Sequence, residues 1–266
     1  MSDNKWIRLS IAEIPVRIEC NAYWIIQQLH LRYKNFSSNL SEKMIVSIEW
    51  KYPDVAEKHT NLREFFINQN QIRINQPGYD GFIDTHGHKA ILRFSSKTPE
   101  EDIDYFLRLV YSLLIFQAGG LLFHGAGIIH DSKAYVFFGP SGSGKSTVAK
   151  VSRNDQILND DLVALMPKFD DWNVFPTPFW IPHGIEAANA PVKLAGFYRL
   201  IQDDQINIQV LSTARALAEM LSCIPVLTMD ECLYPELSSR CKRIINLIKI
   251  FELHFLPDES FWNLIE

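Results

Sequence analysis

Residues Gly139-Pro140-Ser141-Gly142-Ser143-Gly144-Lys145-Ser146 spell G-x-x-x-x-G-K-S, and Thr147 follows. No other feature constrains the chain as strongly. The glycines let the backbone wrap tightly enough for successive N–H groups to point inward at an anion. Lys145 adds a point charge for β and γ phosphates, and the Ser146 hydroxyl is placed to ligate Mg²⁺. The motif carries that meaning only between a strand and a helix. Ala134-Tyr135-Val136-Phe137-Phe138 is an apolar, β-prone run that reads as a buried strand, and residues 146–151 suit a helix start. The positive end of that helix would face the phosphates. Residues 139–147 are therefore the expected nucleotide-binding set, with Mg²⁺ expected beside the phosphates.

The remaining composition sets limits. A chain of 266 residues can hold one large domain or two small ones. With 47% apolar and 21% charged residues it has the profile of a soluble globular protein. The net charge of −5 gives no electrostatic case for nucleic acid. Cys20, Cys223, Cys232 and Cys241 contain no C-x-x-C pair, so neither a zinc site nor a disulfide framework is expected. Reduced thiols in a cytoplasm are the simplest reading. The polar start Met1-Ser2-Asp3-Asn4-Lys5 lacks the apolar region of a signal peptide. The most apolar stretch, 107–123, contains Arg108, Ser112 and Gln117, breaks at Gly119-Gly120, and is short for a membrane span. It reads instead as part of a buried helix over 100–117, with Thr98-Pro99 at its start.

Residues 1–97 read as a mostly β unit, a candidate for substrate or partner binding. Strand-like runs lie at 6–20, 43–50, 71–75 and 90–95, a short helix at 22–31, and turn-rich pieces at 35–41 and 76–81. Residues 98–266 read as the catalytic unit. Strands are expected at 120–130, 133–138, 156–166, 172–180, 192–202 and 206–211, and helices at 213–222 and 230–251. So many short strands after the glycine loop predict an α/β fold with a mixed sheet rather than a doubly wound one.

Gln156-Ile157-Leu158-Asn159-Asp160-Asp161 is an apolar strand ending in two carboxylates, 15 residues after Lys145. A carboxylate there can hold Mg²⁺ or accept a hydroxyl proton. Neighbours on a strand face opposite ways, so both reach one site only if the strand ends or turns. Upstream stands Phe123-His124-Gly125-Ala126-Gly127. His-Gly, then Gly139 to Thr147, then Leu158-Asn159-Asp160-Asp161, in this order, resembles the catalytic domain of HPr kinase/phosphorylase. Within that family the chain is most similar to the HPr-kinase-like proteins of peptide-modification gene clusters, lasso peptide clusters included. Leu121-Leu122-Phe123-His124-Gly125-Ala126-Gly127, the Gly-Pro-Ser-Gly loop and Pro176-Thr177-Pro178-Phe179-Trp180 carry this likeness, which covers about residues 110–215.

The resemblance implies a P-loop in a mixed sheet like that of phosphoenolpyruvate carboxykinase. It implies Asp160 as the carboxylate that takes a serine proton, Asp161 with Ser146 at the metal, and His124 near the transferred phosphate. It also implies a peptide or protein acceptor carrying a serine, and leaves a homo-oligomer open. The sequence departs from the family after the Asp-Asp strand, where Pro182-His183-Gly184-Ile185-Glu186 replaces a Glu-Ile-Arg-Gly-like run. Glu186 is the candidate for the metal carboxylate found there, and HPr itself is a poor substrate guess. Lys193 and Arg199 share one face of a predicted strand, and Arg215 opens a predicted helix; each could reach phosphate or transition-state charge. Asp84-Thr85-His86-Gly87-His88 could form a metal face or a hairpin turn. The expected activity is ATP-dependent phosphorylation of a serine hydroxyl. The alternatives are an NTPase switch or partner protein, and a small-molecule kinase acting on free serine.

Overall fold

The computed structural model describes residues 5–52, 64–152, 155–179 and 190–265. The chain divides into two units, Met1–Gln117 and Ala118–Glu266.

The first unit contains β1 (Trp6–Ile11), β2 (Ile14–Cys20), α1 (Tyr23–Arg32), β3 (Met44–Lys51), β4 (Glu64–Ile67), β5 (Gln71–Gln76), β6 (Tyr79–Asp84), β7 (Lys89–Ser95) and α2 (Pro99–Gln117). Its strands form one mixed sheet in the order β1-β2-β3-β7-β6-β5-β4. The β1–β2 loop, Ala12-Glu13, has both φ angles positive, the two-residue turn whose twist matches that of the strands it joins. β6 takes the place of part of the turn expected over 76–81. Its Tyr79, Gly81 and Ile83 alternate into the core, a period-2 pattern hidden because one of the three is a glycine and Phe82 lies between the other apolar positions.

The unit boundary lies after Gln117, not at 97/98 as the sequence predicts. Helix α2 belongs with the first sheet because its apolar side chains are buried there. Tyr111 donates to the carbonyls of Leu9 and Ile14 at 3.0 and 3.2 Å. Buried Asp104 accepts from Arg32 at 2.7 Å, and Phe106 fills the space that a side chain at Gly81 would occupy.

The second unit contains β8 (Leu121–His130), β9 (Lys133–Phe138), α3 (Lys145–Val151), β10 (Gln156–Asn159), β11 (Leu162–Lys168), β12 (Asp171–Phe175), β13 (Val192–Gln202), β14 (Asn207–Val210), α4 (Thr213–Ser222), α5 (Tyr234–Leu247) and β15 (Ile250–Phe255). The eight strands make a second mixed sheet. The helix expected over 230–251 is shorter. It is α5, and the chain then turns into β15, which runs parallel to β13. Ile250, Leu253 and Phe255 are buried, as expected for a parallel strand covered on both faces.

Two features of this sheet position the site. First, β9, β13 and β15 are parallel neighbours, so their carboxyl ends lie at one edge. Ligands bind beyond the carboxyl ends of parallel strands. Second, β10 and β11 run antiparallel along the same edge of β8. Asp160 and Asp161 occupy the break between them, and β9 lines the opposite edge of β8. Helix α3 buries Val148 and Ala149 on the face formed by Ala126, Ile128, Phe137, Leu200 and Phe255.

Candidate functional site

The glycine loop leaves β9 and enters α3 at Lys145. Gly139, Gly142 and Gly144 all have positive φ. At Gly144, φ is +106° and the Phe255 ring occupies the place of a side chain, so only glycine fits. Gln202, at the end of β13, donates to the Gly142 carbonyl at 2.8 Å. Lys145 is buried, and its Nζ donates to the carbonyls of Gly139 and Pro140 at 3.0 and 3.2 Å. The ammonium group is thus held within the turn of the loop. Ser146 is exposed at the first turn of α3, and Thr147 is half-buried.

The two carboxylates take different partners. Asp160 is hydrogen-bonded to the Ser146 side chain. Its Oδ1 is buried and has no hydrogen-bond partner among the described residues. Burial pushes the Asp160 carboxyl above the usual range, opposed mainly by the Ser146 hydrogen bond. Asp161 Oδ1 lies 2.7 Å from His124 Nε2. The turn that separates them is made by Asn159. Its Oδ1 accepts from the N–H groups of Asp161 and Leu162 at 2.7 and 2.8 Å. The condition set by strand alternation, that the strand must end or turn for both carboxylates to serve one site, is met by this break.

β8 gathers these parts. Gly125 pairs with Phe138, the last residue before the loop, and donates its N–H to the Asp161 carbonyl at 2.9 Å. His124, the preceding residue, donates its N–H to the Cys223 carbonyl at 2.7 Å. The predicted loop residues Gly139 to Thr147, His124, Asp160 and Asp161 therefore lie around one end of the sheet.

The other candidates are placed differently. Lys193 pairs with Asp171 at 2.8 Å, at the start of β13. Its neighbour Leu194 pairs with Ala134, five residues before the loop. At about 3.3 Å per residue this is roughly 16 Å from the loop, so Lys193 is not gathered into the site. Arg199 pairs in register with Phe138, but its guanidinium faces Glu219 at 2.7 Å and Glu252 at 3.1 Å. Arg215 pairs with the same Glu252. Both arginines thus belong to a network around a buried carboxylate beside α4. Glu186 lies outside the described residues. Asp84 accepts from Gly87 N–H at 3.1 Å in the β6–β7 turn, so that run is a hairpin turn.

The donor set suits a polyphosphate with a hard cation. Backbone amides and Lys145 offer charge-matched donors, while Ser146 Oγ and the Asp161 carboxylate are oxygen ligands of the kind Mg²⁺ takes. Among the described residues no group of three or more His, Cys, Asp or Glu side chains comes together to hold a metal. A cation held by one or two carboxylates and substrate phosphates needs no such cluster. Asn159, Gln202 and Phe255 were not anticipated as site residues. Only Asn159 had a local signal, an asparagine two residues before the N–H it caps.

No family model matches the chain, and no curated protein matches it. Among solved structures the chain is similar to the Hpr(Ser) kinase/phosphatase from Coxiella burnetii, at 13% identity and a TM-score of 0.30 over 54% of this chain and 90% of that one. A TM-score of 0.30 is too low to bear on the chemistry, which rests on this chain's own residues. Among the described residues no helix is long and apolar enough to cross a membrane.

Proposed function

We propose that this protein is an ATP-dependent kinase that transfers the γ-phosphate to a serine hydroxyl of a peptide or protein. The observation that carries this reading is Asp160. It is a buried carboxylate hydrogen-bonded to the serine of the glycine loop, with one oxygen buried and unpartnered among the described residues and a raised proton affinity. A carboxylate that binds protons more tightly than usual is a better general base.

In the proposed reaction the loop amides and Lys145 hold the β and γ phosphates. Ser146 and Asp161 would hold Mg²⁺, which when bound neutralises charge on the phosphates. Asp160 accepts the proton of the acceptor hydroxyl as its oxygen bonds to the γ-phosphorus. The bond from that phosphorus to the β–γ bridging oxygen breaks, and ADP leaves. His124, oriented by Asp161, points a ring nitrogen or a charge toward the phosphate. The sequence resemblance supports a ribosomally made precursor peptide as acceptor. The cysteine usage supports a cytoplasmic setting, the net charge of −5 gives no electrostatic case for nucleic acid, and the interrupted apolar stretch over 107–123 none for a membrane.

The test is mass spectrometry of candidate acceptors after incubation with the protein, Mg²⁺ and ATP. A gain of about 80 daltons, one phosphoryl group, is expected on a serine-containing peptide and not with Asp160→Asn. A gain on free serine alone would make it a small-molecule kinase. ADP release with no acceptor gaining mass would make it an NTP-driven switch.

A further inference from the structure

We infer that Asn159 is a positioning residue that sets the separate directions of the Asp160 and Asp161 side chains. The pairing with β8 does not by itself require a break here. Asn159 pairs with Gly127 and Leu162 with His124, so the register is unchanged from Asn159 onward, the one shift lying before it, between Ile157 and Asn159. A strand continuing through residues 160 and 161 would send their side chains to opposite faces of the sheet. One carboxylate would then be lost to the site.

The Asn159 side chain supplies the break. Its Oδ1 takes the N–H groups of both Asp161 and Leu162. Those bonds bend the chain into a turn anchored by a side chain two residues back. The anchor is itself fixed. Its Nδ2 donates to the carbonyls of Thr177 and Phe179 at 3.0 and 2.8 Å, and Thr177 Oγ1 donates to the Leu162 carbonyl at 2.6 Å. Asn159 is only 2% exposed and Thr177 is fully buried. A buried polar network with its donors and acceptors matched is rigid and specifies one geometry. The result is that Asp160 reaches Ser146 while Asp161 reaches His124.

The catalytic consequence rests on the proposed kinase reading; the structural claim does not. The test therefore has an arm that needs no substrate. In full-length protein labelled with ¹⁵N-histidine and free of nucleotide, the His124 ring nitrogens report the bond to Asp161. Asp161→Asn defines the resonance position when the pair is altered. Asn159→Ala is expected to move the His124 Nε2 resonance toward that position. Asn159→Ser keeps a side-chain oxygen that can accept from the N–H two residues on, and places no charge beside the Thr177 and Phe179 carbonyls, so its resonance is expected to stay nearer the wild-type position than that of the alanine variant. An alanine variant with the wild-type resonance would overturn the inference. So would a folded serine variant whose resonance moves fully to the Asp161→Asn position, and this second variant decides the matter alone if the first does not fold. In the second arm, Asn159→Ala should slow ADP formation at least about tenfold at unchanged ATP affinity, a loss in turnover rather than in binding. Wild-type protein that forms no ADP would count against the kinase reading and leave the resonance comparison intact.

Discussion

Gly125 and Asp161 are joined by a backbone hydrogen bond of 2.9 Å across β8 and the β10–β11 break. Because Gly125 also pairs with Phe138, a single residue spaces the glycine loop from the carboxylates. A side chain at 125 would press on the Phe137 carbonyl and on Val136 at 3.1 Å. The His-Gly pair of the sequence thus has two separate jobs. The histidine faces Asp161, and the glycine lets β8 and β9 approach closely.

Lys145→Ala should weaken ATP binding by about 1.5–3 kcal/mol, the range for a hydrogen bond to a charged group, or roughly 10- to 150-fold in Kd. Isothermal titration calorimetry reads this directly. The ammonium is buried against two loop carbonyls, so its loss removes a fixed charge from the anion cradle. Unchanged affinity would remove the phosphate-binding reading of the loop.

Gly144→Ala should destabilise the fold by more than about 1 kcal/mol, since alanine is strained at positive φ and also meets the Phe255 ring. Phe255→Ala in the same chain removes the collision but not the φ strain, so it should not restore the loop. Thermal unfolding and ATP titration of the single and double variants check this. A Gly144→Ala protein with wild-type melting and affinity would show that the loop geometry is wrong.

How much of this was legible in the sequence differs by residue. The loop and the two carboxylates stand out in the sequence as chemical types in a fixed order, and His124 only through the family resemblance; the structure places them around one end of the sheet, and their roles are the proposal. Strands β8, β9 and β13 were readable from their apolar runs. The strand β15 was not, because Ile250-Phe251-Glu252-Leu253 continues the apolar spacing of α5, and only pairing with β13 decides its state. Gln202 and Phe255 reach the loop through that same pairing, which no local pattern encodes. The assignment of α2 to the first unit depends on bonds such as Tyr111 to Leu9, about a hundred residues apart.

Arg199→Ala should cost about 3–5 kcal/mol of stability, the range for removing one partner of a buried ion pair. Glu252 is 3% exposed, and burial alone would raise its pKa. Gln209, Arg215 and Arg199 pull it below the usual carboxylate range instead. Removing Arg199 leaves that carboxylate under-compensated. ATP affinity should stay within about twofold, because Arg199 faces Glu219 and Glu252. A stable variant with much weaker ATP binding would instead make Arg199 a phosphate ligand.

Asp160→Asn should stabilise the protein while slowing the proposed phosphoryl transfer. The folded state raises the pKa of this carboxyl, so it binds the proton more tightly than the unfolded chain does. Stability linked to Asp160 is therefore highest below its unfolded pKa, and it falls as pH rises through the folded one. At neutral pH the ionised, buried carboxylate is a net cost, as is common where an active site is built against stability. Asparagine keeps an oxygen for the Ser146 hydroxyl and carries no charge. A gain of about 1 kcal/mol is expected near pH 7, vanishing at acid pH where the wild-type carboxyl is also neutral. Melting temperatures of both proteins across pH would measure it. Transfer should fall about 10²- to 10⁴-fold, the usual contribution of a general base, with ATP affinity retained. If the asparagine variant were less stable at every pH, the desolvation of Asp160 would not be the dominant influence on it, and its assignment as the base would lose its physical ground.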